Sequence, residues 1–199
     1  MEKCKIFIAS SGELAEERNA VFKFKEAVNK LHPNLHLEIV EWEMDLPSGN
    51  YGGQRIQDAI NPLLEMCEVA FVLFYSKAGQ FTVEELRLAE QVCKKVFVYF
   101  KTGFAASTRE ENKRYDAVLE LKENLDAENR ILYKKYGDLT QFELFFKEDL
   151  LKYLHENRPA VTIDGKALGQ NTSIIGNNNQ KTAVVQGNTT GGDLNLNIS

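Results

Sequence analysis

The stretch Tyr75-Ser-Lys-Ala-Gly-Gln-Phe-Thr-Val-Glu-Glu-Leu86 places one carboxylate, Glu85, shortly after the most apolar run of the chain, Val69 to Tyr75. A carboxylate beyond the end of a buried strand is suited to acid–base or electrostatic work on a bound ligand. The same spacing has a second reading. Thr82 can cap a helix that begins there, with Glu85 three residues on completing a capping box. Other chemistries lack their residues. The sequence has no G-x-G-x-x-G or Walker phosphate loop, no G-x-S-x-G elbow and no evident Ser/His/Asp set. Cys4, Cys67 and Cys93 are widely separated without a C-x-x-C pair, which reads as reduced thiols. The histidines have no metal-ligand spacing, and Pro33 breaks any helix joining His32 to His36. No metal site is expected.

The elements around Glu85 follow from hydrophobic spacing. Lys5-Ile-Phe-Ile-Ala9 is a short β-type run closed by Ser10-Ser11-Gly12, and either serine can cap a helix over Glu13 to Leu31. Leu35 to Trp42 reads as a second strand, and Met44 to Gly53 as a long loop of turn formers. A helix is expected from Gln54 to Met66, with Pro62 inside it. Next come a central strand, Val69 to Tyr75, and a helix from Thr82 to Cys93. Val96 to Phe100, Thr108 to Leu125, Ile131 to Tyr136 and Leu139 to His155 complete the alternation. Five strand–helix repeats predict a five-stranded, parallel, doubly wound (flavodoxin-like) α/β sheet. Ligands in such sheets bind beyond the carboxyl ends of the strands. Those ends are Ser10-Ser11, Trp42 to Gly53 and Tyr75 to Thr82.

Composition divides the chain. Of its 199 residues, those from Pro159 onward carry only Asp164, Lys166, Lys181 and Asp193, so the formal charge of −5 belongs wholly to the part before. An acidic body without a basic face argues against nucleic acid or an anionic membrane as the main partner. The longest apolar run is too short to span a bilayer, and no charged-then-apolar leader opens the sequence. A cytoplasmic protein is expected.

The body resembles a Toll/interleukin-1 receptor-like (TIR) domain of the divergent prokaryotic kind. Lys5 to Ser11, then Leu14 and Glu17-Arg18, looks like the first strand and helix of that family. Asp45 to Gly49, then Ile56 and Ala59-Ile60, looks like its BB loop and the following helix. Val72-Leu-Phe-Tyr-Ser76, then Phe81-x-x-x-Glu85-Leu86, resembles the third strand and the W-x-x-x-E element, with Phe81 in place of the usual Trp. The resemblance implies cleavage of the nicotinamide–ribose bond of NAD⁺, which is consumed as a substrate rather than recycled as a cofactor. It makes Glu85 the catalytic carboxylate, if the register does not favour the adjacent Glu84. It assigns Ser10, Ser11, Trp42, Asp45, Tyr75, Ser76 and Phe81 to substrate binding, with hydroxyls and a helix start for phosphate and aromatic faces for stacking. It makes Pro47, Ser48 and Gly49 part of an assembly loop, and the protein an effector of antiviral immunity.

Residues 171–199 differ in kind. Ile174-Ile175-Gly-Asn is echoed by Val184-Val185-Gln186-Gly-Asn, and Leu194-Asn-Leu196-Asn-Ile198 alternates strictly. Short β-branched runs between Gly-Asn turns suit stacked β-arches, and low charge with Asn ladders suits stacking between identical chains. The segment resembles the C-terminal amyloid-signalling motifs of prokaryotic immune effectors. Three parts are therefore expected: a TIR-like domain over 1–157, a linker over 158–170 and a self-assembly tail over 171–199. Copies of this chain, or a sensor with a similar tail, are the expected partners.

Two rival functions remain open. Thr82, Glu85, Leu86 and Ala89 also resemble the T-x-x-E-L-x-x-A element of nucleoside 2-deoxyribosyltransferases, where the glutamate is a covalent nucleophile. A non-catalytic TIR adaptor acting through tail and loop is the other. If tail pairing raises local concentration, a chain cut after residue 158 stays monomeric and almost inactive at low concentration. NAD⁺ consumption across a dilution series, with and without the tail, measures this; equal specific activity would remove the tail from the mechanism.

Overall fold

The computed structural model describes residues 1–40 and 55–158. Strand β1 (Glu2–Ser10) passes through a short 3-10 turn (Gly12–Leu14) into helix α1 (Ala15–Leu31), and β2 (Leu35–Val40) follows. Next come α2 (Ile56–Glu65), β3 (Val69–Phe74), α3 (Gln80–Val92), β4 (Lys95–Lys101), α4 (Arg109–Glu128), β5 (Tyr133–Tyr136) and α5 (Leu139–Asn157). The five strands are all parallel, in the order β2-β1-β3-β4-β5. This is the expected flavodoxin-like α/β fold. Among the described residues, no helix is long and apolar enough to cross a membrane.

The order follows from burial. All six side chains of β3 are buried, as are Ile6 to Ala9 of β1, so these strands need cover on both faces. Ile6 and Ile8, with Phe71 and Tyr99, pack against Val21, Phe24 and Val28 of α1 and Phe146 and Leu150 of α5. Phe7, Val72, Phe74 and Phe100 face the opposite way, onto Ile60 and Leu64 of α2, Leu86 and Ala89 of α3, and Val118 and Leu125 of α4. The period-two alternation of each strand thus feeds two separate cores. The outer edge of β2 is covered by a side chain. The Asn29 amide donates to the Leu37 carbonyl at 2.9 Å and accepts from the Leu37 N–H at 2.7 Å, standing in for a further strand.

Several boundaries move from the sequence expectation. The α2 helix starts after Arg55 rather than at Gln54, and Pro62 lies inside it without ending it. The fifth strand begins at Tyr133, because Ile131 and Leu132 precede the pairing of Tyr133 with Val98. The α4 helix runs on to Glu128. Its start is the Thr108–Glu111 capping box, and its end is Asn129 in the left-handed conformation (φ 49°).

Arg158, placed by composition at the head of a linker, belongs to the domain. It is 9% exposed, pairs with Glu68, contacts Glu2 at 3.3 Å and donates to the Lys3 carbonyl at 3.0 Å. Lys3 and Glu68 lie at the amino ends of β1 and β3, so the end of α5 is fastened there. The repeat at Ile174, Ile175, Val184, Val185, Gln186, Leu194, Leu196 and Ile198 lies outside the described residues. Arg158→Ala leaves Glu68 with Lys94 and Tyr153 as partners. The expected loss in urea denaturation is about 1–2 kcal/mol, between the values of exposed and buried pairs. No change in midpoint would show that α5 does not depend on this anchor.

Candidate active site

The chain runs from β1 outward to β2, then returns past β1 to β3, so strand order reverses between β1 and β3. A cavity of about 370 Å³ lies at the carboxyl ends of these two strands, within the range of small-molecule pockets. Ser10 and Ser11 enter it from the end of β1, Lys77 from the β3–α3 turn, and Glu85 from α3. Gln57 enters from α2, while Ile56, Ile60 and Phe81 supply apolar wall. Glu85 is the one acidic side chain among the described residues lining this cavity.

Glu85 reaches the cavity because of where α3 begins. The helix starts at Gln80, after Gly79, whose extended backbone (φ −62°, ψ 140°) accepts the Val83 N–H at 3.0 Å. Thr82 is therefore already inside the helix, and no side-chain cap forms at its start. This corrects the capping-box alternative. The buried face of α3 is Thr82, Glu85, Leu86 and Ala89, a helical stripe that turns Glu85 inward. Glu84 points elsewhere and takes two hydrogen bonds from the Arg55 guanidinium, at 3.0 and 3.2 Å. Two adjacent glutamates thus have different surroundings, one an ion pair near the surface and the other a nearly solvent-free carboxyl.

Glu85 is 4% exposed, and the Gln57 amide donates to its Oε1 at 3.4 Å. Its Oε2 has no hydrogen-bond partner among the described residues and is not among the fully buried side-chain atoms left unsatisfied. Glu85 lines the cavity, and Oε2 is its unpaired oxygen among the described residues. Burial pushes the Glu85 carboxyl from the usual 4.5 up to about 7; the Gln57 hydrogen bond pulls it down, and the Glu84 charge pushes it up again. Such a group changes charge near neutral pH, as a working acid or base must.

The other expected residues divide. Ser10 and Ser11 line the cavity, fixed by Arg18, which donates at 3.0 Å to both the Ser10 hydroxyl and the Ser11 carbonyl. Ser11 does not cap the helix behind it; its hydroxyl donates to Glu13 at 2.8 Å. Phe81 lines the cavity and is 54% exposed, so it is not a core residue. Tyr75 and Ser76 do not line it, contrary to expectation. Tyr75 packs edge-on against Phe104 at 5.7 Å, beneath the Lys101 ammonium, which in turn pairs with buried Glu17. Both the N–H and the hydroxyl of Ser76 bind Glu13. β3 ends at Phe74, and the chain beyond it turns these two side chains toward the β4 and α1 side. Trp42, Asp45, Pro47, Ser48 and Gly49 lie outside the described residues.

Sequence reading missed Gln57, Lys77 and Arg18 as site residues. Gln57 left a signal: with Ile60 and Leu64 it forms the buried stripe of α2, so a polar side chain falls on an apolar face. Lys77 left none, since a lysine in a turn is ordinarily solvated. A larger cavity of about 460 Å³ lies where α5 meets β4 and β5. Its Asp149 is taken by Lys134 at 2.8 Å and by the Tyr99 hydroxyl at 2.5 Å, which makes it a structural pair.

The class of protein this defines is a flavodoxin-like α/β domain with a buried carboxyl, Glu85, at its strand-order switch. No protein-family model matches the sequence, and no curated protein matches it. Among solved structures the chain is similar to translation elongation factor SelB from Methanococcus maripaludis, apo form (14% identity, TM-score 0.45), over 79% of this chain and 34% of that one. It therefore spans about a third of that factor's length. It is also similar to a conserved protein from Enterococcus faecalis V583 (14% identity, TM-score 0.45), over 78% of this chain and 99% of that one. An azoreductase from Bacillus anthracis str. Sterne is similar at 10% identity and TM-score 0.39, over 78% of this chain and 100% of that one.

A carboxyl raised on folding favours the folded state while protonated, and that advantage is lost as pH rises from 4.5 through about 7. Glu85→Gln removes the cost of the buried charge. Thermal unfolding is expected to find the variant more stable at pH 8, on the order of 3 kcal/mol, and equal to the native chain at pH 4. A difference independent of pH would mean that Glu85 is not a desolvated carboxyl.

Proposed function

We propose that this chain cleaves an N-glycosyl bond of a nucleotide, with NAD⁺ as the substrate and Glu85 as the catalytic carboxylate. The observation that carries the reading is the open oxygen of a single buried carboxyl at the switch point, with no second acidic side chain among the described cavity residues. Hydrolysis of an ordinary glycoside needs two carboxyl groups, because one must protonate the leaving oxygen. A nicotinamide bound to ribose already carries positive charge and departs neutral, so no general acid is needed. One carboxylate then suffices. This favours NAD⁺ over the neutral nucleosides of the deoxyribosyltransferase reading. The resemblance of Phe81-x-x-x-Glu85-Leu86 to the TIR element supports the same choice.

In the proposed reaction the bond from ribose C1′ to the nicotinamide nitrogen breaks, and its electron pair goes to nitrogen. The ionised Glu85 faces the oxocarbenium-like centre and stabilises its charge. Water adds to C1′, and its proton passes to Glu85 and then to solvent. Among the described residues, Lys77 is the cation lining the cavity and is suited to the diphosphate, with the Ser10 and Ser11 hydroxyls on the same lining. Phe81 offers its exposed face to a ring. Self-assembly enters at the opposite end of the domain. Arg158 is fastened at the amino ends of β1 and β3, and pairing of the chain beyond it would raise the local concentration of the bodies.

Nicotinamide release from NAD⁺, followed by chromatography, tests the reading. Glu85→Gln should lower the rate by more than about 100-fold, while Glu84→Gln stays within a few-fold of the native chain. Full activity in Glu85→Gln overturns the assignment. Base release from nucleosides with NAD⁺ untouched would select the transferase instead, and no turnover of either would select the adaptor.

A further inference from the structure

We propose that Gln57 is a positioning residue for Glu85: its buried side-chain amide holds Oε1 and leaves Oε2 as the oxygen presented to substrate. The inference rests on the reading of Glu85 as the catalytic carboxylate. Gln57 is 1% exposed, on the α2 stripe with Ile60 and Leu64, where an apolar residue would be the ordinary choice. Its Nε2 donates to Asn61 Oδ1 at 3.1 Å and to Glu85 Oε1 at 3.4 Å. Both partners accept, so the nitrogen end of the amide must face them. The Glu85 contact is long, as hydrogen bonds of catalytic groups often are before substrate binds. Asn61, one turn along α2, fixes the amide from the other side and limits its rotation.

A neutral donor on one oxygen has two consequences. It fixes the plane of the carboxylate, and it favours the ionised form that must face a developing cation. Among the described residues, no other group does this. Glu84, next in sequence, carries like charge and is bound to Arg55, which also pairs with Asp58 at 2.9 Å. Lys77 lines the cavity on the β3–α3 turn but makes no hydrogen bond or ion pair among the described residues, and β1 contributes only the neutral Ser10 and Ser11. Gln57 is thus the one donor on Glu85 among the described residues.

Gln57→Met keeps the length of the side chain and removes the donor. In full-length chain labelled with ¹³C at glutamate Cδ, the Glu85 titration, assigned by its loss in Glu85→Gln, should move up by about one pH unit in Gln57→Met. In nicotinamide release, the rise of kcat with pH should move by the same amount, leaving the variant about fivefold slower at pH 7, approaching tenfold at lower pH, and recovering at high pH, with KM little changed. An unmoved titration overturns the proposal, as does an equal loss at every pH with a lowered melting temperature, which would mark Gln57 as packing only. If the native chain releases no nicotinamide while the titration moves as expected, the reading of the reaction fails and the coupling of Gln57 to Glu85 stands.

Discussion

Every side chain of β3 is buried, and a strand with two apolar faces must be covered by helices on both sides. The rest of the domain follows from that demand. The helices α1 and α5 close one face, while α2, α3 and α4 close the other. To supply both layers, the chain must build outward from β1 in one direction and then return to build in the other. The reversal leaves a cavity at the carboxyl ends of β1 and β3. The cavity is therefore a consequence of how the core is covered, and the side chains around it are those that happen to end β1 and begin α2 and α3.

Within that gap the governing term is the cost of removing a charge from water. Glu84 and Glu85 are chemically identical and adjacent, yet Arg55 satisfies the first, while the second has one neutral amide and an open oxygen. A buried carboxyl with so few partners is tolerated because it can stay protonated near neutrality, at the expense of readiness to ionise. The α2 helix meets both glutamates, Arg55 on one and Gln57 on the other, so the packing of α2 against α3 sets the electrostatics of both.

The two ends of the domain are specialised differently. At the carboxyl ends of the strands, polar groups are left partly unsatisfied and face a cavity. At the amino ends, Arg158, Glu68, Glu2 and Lys94 tie the last helix to β1 and β3.

Apolar spacing alone determined the number, order and type of the elements, since period-two and helical stripes are local properties of neighbouring residues. Local capping chemistry likewise set the start of α4 in Thr108-x-x-Glu111, and the charge break near Pro159 set off the neutral tail. Glu85 was legible as a candidate for the same reason, as a carboxylate just after the most apolar strand. Spacing could not say whether Thr82 capped a helix beside it, because that depends on Gly79 accepting the Val83 N–H two residues earlier than the composition suggests. Nor could it find Gln57, or turn Tyr75 and Ser76 away from the cavity. Those outcomes depend on contacts between residues tens of positions apart, Gln57 with Glu85 and Glu13 with Ser76. They exist only once α2, α3 and α1 are packed on the sheet, which is why the tertiary structure decided them.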